Sequence, residues 1–125
     1  MAEGFNKPFN PLLGETYELQ TPEFRFIAEQ VSHHPPVTAW HCEAIDNSYK
    51  AWSQFETATK FTGQFLCFYQ KYPTFIELSN GEVYKISTPT LSAHNLVFGN
   101  PYLDIGDRAS VTRVVDSYGK RDNSL

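Results

Sequence analysis

The chain reads as a mainly β protein, an antiparallel meander of short strands, and three observations predict it. Aromatic residues make up 15% of the 125 residues, and they stand in short runs among Val, Ile and Thr, the side chains that pack best on a pleated surface. Those runs are cut at close intervals by Pro, Gly, Asn and Asp, which turns require. Apolar side chains recur with a period of two, and no stretch sustains the 3.6-residue period of an amphipathic helix. With 41% hydrophobic and 19% charged residues the composition is globular, and this length suits one domain around one core.

The head of the chain, Phe5 to Leu13, mixes apolar side chains with Pro8 and Pro11. Proline fixes φ and removes a backbone donor, so this segment is expected to be extended and packed, neither helix nor central strand. Strand-like runs follow at residues 24–31, 37–45, 49–56, 61–69, 74–78, 83–87, 95–98 and 109–115. Within 37–45, Val37, Ala39, His41, Glu43 and Ile45 share one face, and Thr38, Trp40, Cys42 and Ala44 share the other. The second face is the more apolar and is expected to point inward. Ser79-Asn80-Gly81-Glu82 joins two runs, and its Asn-Gly pair predicts a type I′ hairpin turn, with positive φ at both central residues. Residues 116–125 are polar and are expected to form a flexible tail. No repeat, low-complexity tract or linker divides the body, so residues 1–125 read as a single domain.

Ten Lys and Arg against fourteen Asp and Glu give a net charge of −4 and a pI near 5.5. Nucleic acid is therefore not an expected partner, since neutralising phosphates takes a basic face. A purely electrostatic membrane anchor fails as well: Lys120 and Arg121 are followed at once by Asp122. Cys42 and Cys67 lie in apolar stretches and read as two buried free thiols of a reducing compartment, not as a disulfide framework. No apolar run approaches the roughly 20 residues that span a bilayer, and the first residues have no signal-peptide pattern. A cytoplasmic location is expected.

The densest polar cluster beside an apolar run is Glu29-Gln30-Val31-Ser32-His33-His34-Pro35-Pro36. Pro35 and Pro36 stiffen the backbone before any ligand arrives. If His33 and His34 are locally extended their rings diverge, and both serve one ligand only where a turn brings them together. The alternative is a proline-stiffened loop carrying two solvated histidines. A zinc site built from His33, His34, His41 and Cys42 is a rival, but no metal motif has this spacing, and no metal is expected. There is no nucleophile elbow and no glycine-rich phosphate loop, and His41 and Cys42 point to opposite faces of a strand, so no enzyme and no cofactor is expected. A second cluster, Lys7-Pro8-Phe9-Asn10-Pro11-Leu12-Leu13-Gly14-Glu15, places an ammonium and an amide three residues apart, where both can donate to one anionic, hydroxyl-rich group. Its plainer reading is a solvated terminus with Asn10 at a turn.

These two clusters, with Thr16-Tyr17-Glu18, resemble the oxysterol-binding protein family, whose fingerprint octet is matched in full by residues 29–36. Lys60-Phe61-Thr62-Gly63, Pro89-Thr90 and His94-Asn95-Leu96-Val97-Phe98-Gly99 are similar to further family landmarks in the right order. The resemblance covers roughly residues 5–115. It departs where members often carry tryptophan, at Thr62 and at Pro101-Tyr102-Leu103.

The resemblance implies that the meander forms part of a large incomplete β-barrel enclosing a lipid-binding tunnel. The family's lid and helical C-terminal part are missing, so the chain is expected to be a fragment or a reduced member. It implies binding of phosphatidylinositol 4-phosphate and of a sterol or other lipid, exchanged between membranes or at membrane contact sites by peripheral, transient contact with the membrane surface. Lys7 and Asn10 would contact the inositol phosphate, His33 and His34 the 4-phosphate, and Pro35 and Pro36 would fix the loop. Self-association through open strand edges is expected. The competing function is a protein-interaction module, a β-meander with no lipid cavity.

Overall fold

A computed structural model of the chain describes residues 9–63, 65–106 and 108–115. Among them the fold is all antiparallel β: β1 (Thr16–Gln20), β2 (Phe24–His33), β3 (Pro36–Ala44), β4 (Tyr49–Phe55), β5 (Thr57–Phe61), β6 (Phe65–Gln70), β7 (Thr74–Leu78), β8 (Val83–Ser87), β9 (Thr90–His94), β10 (Tyr102–Gly106) and β11 (Ser110–Val115). One sheet runs β1-β2-β3-β4-β7-β8-β11 and the second β10-β9-β6-β5. Neither closes on itself. Lys7, Pro8 and the expected tail at 116–125 lie outside the described residues.

The two sheets are successive parts of the same long hairpins. β4 and β5 are one strand interrupted at Glu56, and they pair with β7 and β6 in unbroken register, Trp52 opposite Phe75 before the interruption and Thr57 opposite Gln70 after it. Pro73 and Pro89 stand at the corresponding interruptions of the next two strands. Proline cannot donate to a ladder, so the pairing breaks there and the strands change sheet. The buried Glu56 carboxylate is held at this junction by the Lys71 ammonium. The Lys71 N–H donates to the Glu56 carbonyl at 3.0 Å, and the Ser53 hydroxyl donates to the Pro73 carbonyl at 2.9 Å.

Register decides which face of the larger sheet is apolar. Arg25, Glu43, Lys50 and Glu77 are successive cross-strand neighbours on β2, β3, β4 and β7, a row of alternating sign that belongs in water. The opposite face aligns Phe26, Cys42, Ala51, Ile76 and Tyr84, and Phe26 stacks on Trp40 at 5.9 Å. Thr38, Trp40, Cys42 and Ala44 share this apolar face. The apolar residues that are well covered are small or β-branched, Val37, Ala44, Ala51 and Ala93, and no large described side chain is fully buried. This is the signature of a single layer whose apolar face has no second layer over it among the described residues.

Several sequence expectations are corrected. The run 61–69 is two strands, because Gly63 turns the chain with φ +87°. The run 95–98 is loop: Asn95 takes φ +56°, which ends β9 at His94, and the strand lies instead at β10. β1 was not among the expected runs, although Tyr17 and Leu19 alternate with polar residues. In the Asn80-Gly81 turn only Gly81 has positive φ, +83°. The Gly81 N–H donates to the Leu78 carbonyl and the Glu82 N–H to Asn80 Oδ1, so this is a type I turn followed by a left-handed glycine, the three-residue hairpin solution. Phe9, Leu12 and Leu13 are exposed, so the large apolar side chains of the head are not packed; backbone bonds of Gly14 and Glu15 tie it to Gln30. Cys42 and Cys67 are free and half-buried, not fully buried.

Candidate functional site

β2 and β3 form a hairpin whose connection is His34-Pro35, with a cis peptide between them. The turn does what an extended segment would not: it brings the His33 and His34 rings to 4.5 Å between centroids, tilted by 59°. Both imidazoles are exposed. Pro36 opens β3 opposite His33, so the two prolines occupy the turn and the first strand residue beyond it.

Just behind the histidines the register slips. Gln30 faces Thr38, but the next paired residue is Ser32, opposite Val37, leaving Val31 as a bulge. Gln30 is only 3% exposed. Its Nε2 donates to the Ser32 carbonyl at 2.7 Å, and its Oε1 accepts from the Thr38 hydroxyl at 2.6 Å. The amide thus spans the bulge and pins the backbone that presents both imidazoles. Sequence reasoning did not single out Gln30 as a functional residue. The signal was available in the alternation Phe24, Phe26, Ala28, Gln30, a polar side chain in an apolar series, with Thr38 across from it.

The head segment reaches the same strand. The Gly14 N–H donates to the Gln30 carbonyl at 2.8 Å, and the Gln30 N–H to the Glu15 carbonyl at 3.0 Å. A turn sets up this contact: the Glu15 N–H donates to the Leu12 carbonyl at 2.9 Å, the Leu12 N–H donates to Glu15 Oε2 at 2.7 Å, and Gly14 takes φ +78°, which a side chain would strain. Asn10 lies exposed four residues upstream of that anchor. The structure therefore joins His33 to His34 directly and bonds the Asn10 segment to the strand that carries them.

His41 pairs with Ile27 and Trp52 in mid-sheet, so the four-ligand set of His33, His34, His41 and Cys42 is not assembled. A hollow of about 490 Å³ lies among Glu18, Arg25, His41 and Glu43 on the charged face, and it contains none of the predicted binding residues. The fingerprint turn presents two exposed imidazoles side by side, groups that can donate hydrogen bonds.

Residues 1–120 match the profile of the family described as Oxysterol-binding protein. Oxysterol-binding protein-related protein 1 of Rattus norvegicus is 40% identical over 105 residues, 82% of this chain and 11% of that relative. Oxysterol-binding protein-related protein 2 of Homo sapiens is 39% identical, with 82% and 22% covered, and protein 2B of Arabidopsis thaliana is 41% identical, with 78% and 14% covered. Among solved structures, the Osh3 ORD in complex with PI(4)P from Saccharomyces cerevisiae superposes with a TM-score of 0.74 at 32% identity, over 86% of this chain and 29% of that one. The Osh1 ORD domain in complex with cholesterol superposes at 0.70 and 33% identity, over 86% and 27%. The chain thus spans a tenth to a fifth of these curated relatives and less than a third of the solved domains. Profile, identity and strand architecture agree, and the chain belongs to the oxysterol-binding protein family.

Proposed function

We propose that the chain supplies the phosphoinositide-reading part of a lipid-binding and transfer domain, taking phosphatidylinositol 4-phosphate by its head group and a sterol or other lipid on its apolar face. The observation that carries this reading is the fingerprint turn: His33 and His34 in contact, pinned through the Gln30 amide, on the strand to which the Asn10 segment is bonded. A phosphomonoester is a polyanion rich in acceptors, and imidazolium and amide donors meet it with charge-assisted hydrogen bonds. A few placed donors suffice for this, which reconciles an acidic protein with an anionic ligand. Lys7 and Asn10 serve the inositol phosphate, and Pro35 and Pro36 fix the loop.

The acyl chains and the second lipid use one apolar bed, the face of Phe26, Trp40 and Ile76. Two lipids that need the same bed exclude one another, and mutual exclusion is what exchange between membranes requires. Structures of relatives carry PI(4)P in one case and cholesterol or ergosterol in others, which supports the pairing. The reading involves no catalytic step, and it places the protein in the cytoplasm, peripheral at membranes or membrane contact sites. No helix among the described residues is long and apolar enough to cross a membrane.

The test is calorimetric titration with soluble inositol 1,4-bisphosphate, comparing the chain with His33→Ala/His34→Ala. Each lost charge-assisted bond is worth about 1.5–3 kcal/mol, so affinity is expected to fall at least tenfold. Both residues are exposed and the prolines remain, so the melting temperature should move by no more than about 2–3 °C. A variant that melts far lower and binds nothing would make the histidines structural and refute the assignment.

A further inference from the structure

At the far end of the smaller sheet two hairpin tips emerge together. Phe65 pairs with His94 and Phe61 with Leu66, so the β5–β6 turn and the β9–β10 loop leave the sheet on the same side. The loop presents Leu96, Val97 and Phe98 consecutively, at 54%, 78% and 86% exposure. Large apolar side chains in sequence at a loop apex are costly in water.

The loop is shaped, not slack. Asn95 Nδ2 donates to the Asn100 carbonyl at 3.2 Å across its base, Asn95 takes φ +56° and Gly99 φ +89°, and a side chain at Gly99 would begin 3.4 Å from Asn95 Nδ2. Beneath it Phe65, His94 and Tyr102 stack as a cross-strand ladder, with centroids 4.6 and 4.7 Å apart.

The order of side chains along this end is informative. Apolar residues lie outermost, amides at the loop base come next, then a rung of aromatic and imidazole rings. Charge first enters two rungs deeper, at Lys60 and Asp104. Residues 61–66 and 91–103 contain no Asp, Glu, Lys or Arg. The opposite end of the meander differs: its turns carry Glu23, Asp46 and Glu82. Apolar, then polar and aromatic, then charged is the sequence of environments met on leaving a bilayer. An uncharged tip also offers a protein partner no ion pair with which to fix register.

We propose that the Leu96–Phe98 loop is a membrane-docking tip that inserts into the interfacial region of a zwitterionic bilayer. The inference deepens the lipid-transfer reading, which supplies the bilayer as partner, but it concerns a surface separate from the fingerprint turn.

The test is flotation of the chain with phosphatidylcholine vesicles free of phosphoinositide. Wild type and Val111→Asp, a control on the outer strand β11, should bind. Val97→Asp/Phe98→Asp should lose at least tenfold in vesicle affinity while keeping its strand circular dichroism and its affinity for soluble inositol 1,4-bisphosphate. Phe98→Trp gives an independent report: its added emission should be quenched by brominated acyl chains. No binding by wild type, equal binding by the Asp pair, or no quenching of Phe98→Trp would each overturn the proposal. Wild type that floats with the vesicles but does not bind inositol 1,4-bisphosphate would count against the fingerprint assignment and support the tip.

Discussion

Gln30 is the residue on which the site turns, and its role is physical before it is chemical. A side-chain amide at 3% exposure must satisfy its polar atoms inside the protein, and this one does so by bonding Ser32 on one side of a bulge and Thr38 on the facing strand. Gln30→Ala leaves the Thr38 hydroxyl and the Ser32 carbonyl without that partner and frees the bulge. The expected cost is about 1–3 kcal/mol of stability, read by urea unfolding, together with weaker inositol phosphate binding although no ligand contact has been removed. Unchanged stability would mean that the amide is dispensable. At this scale the sequence brought the two histidines forward as candidate donors, and the one sign of their support was the polar Gln30 in an apolar series. Paired histidines before prolines advertise donors on a stiff loop, whereas the bulge that aims them depends on a hydrogen bond eight residues long in sequence. Lys7, the other expected head-group contact, lies outside the described residues.

Among the elements, the β7–β8 hairpin carries a local network of charge and hydrogen bonds. The Asn80 side chain and then the Tyr84 hydroxyl, at 3.0 Å, hold the Glu82 carboxyl below its ordinary value of 4.5, with Arg113 on β11 adding to the effect. A carboxyl whose folded value is depressed contributes stability that is complete above the unfolded value and is lost as pH falls through the folded one. Melting temperature should therefore drop more steeply below about pH 4.5 for wild type than for Glu82→Gln; parallel curves would show that the network contributes nothing. Strand existence was legible wherever β-branched and aromatic residues alternated, as at β3, β7 and β8. Boundaries were lost where one residue in left-handed geometry decided them, Gly63 and Asn95 above all. The Asn80-Gly81 turn was located correctly and mistyped, because dipeptide chemistry says where a chain turns and the loop's hydrogen bonds say how.

At the scale of the molecule, the decisive fact is an apolar sheet face that no second layer covers among the described residues, bounded by edge strands β1 and β11 whose outer backbone groups have no ladder partner among them. Such edges pair with whatever strand is offered. Light scattering should give an apparent mass that rises with concentration above 14.3 kDa, and a constant value near that mass would show that the edges are protected. The mainly β meander followed from composition and period alone, because both are local, whereas the open barrel was an expectation of the family resemblance. That the meander breaks into two sheets at Glu56, Pro73 and Pro89 was not foreseen, since it depends on three interruptions falling side by side across strands far apart in sequence. The most direct measurement is lipid extraction: incubate the chain with vesicles containing phosphatidylinositol 4-phosphate and cholesterol, re-isolate it, and identify its lipids by mass spectrometry. Wild type should return either lipid, each displacing the other, and His33→Ala/His34→Ala should return only the sterol. Recovery of the same lipids by both proteins, or of neither lipid by wild type, would contradict the account.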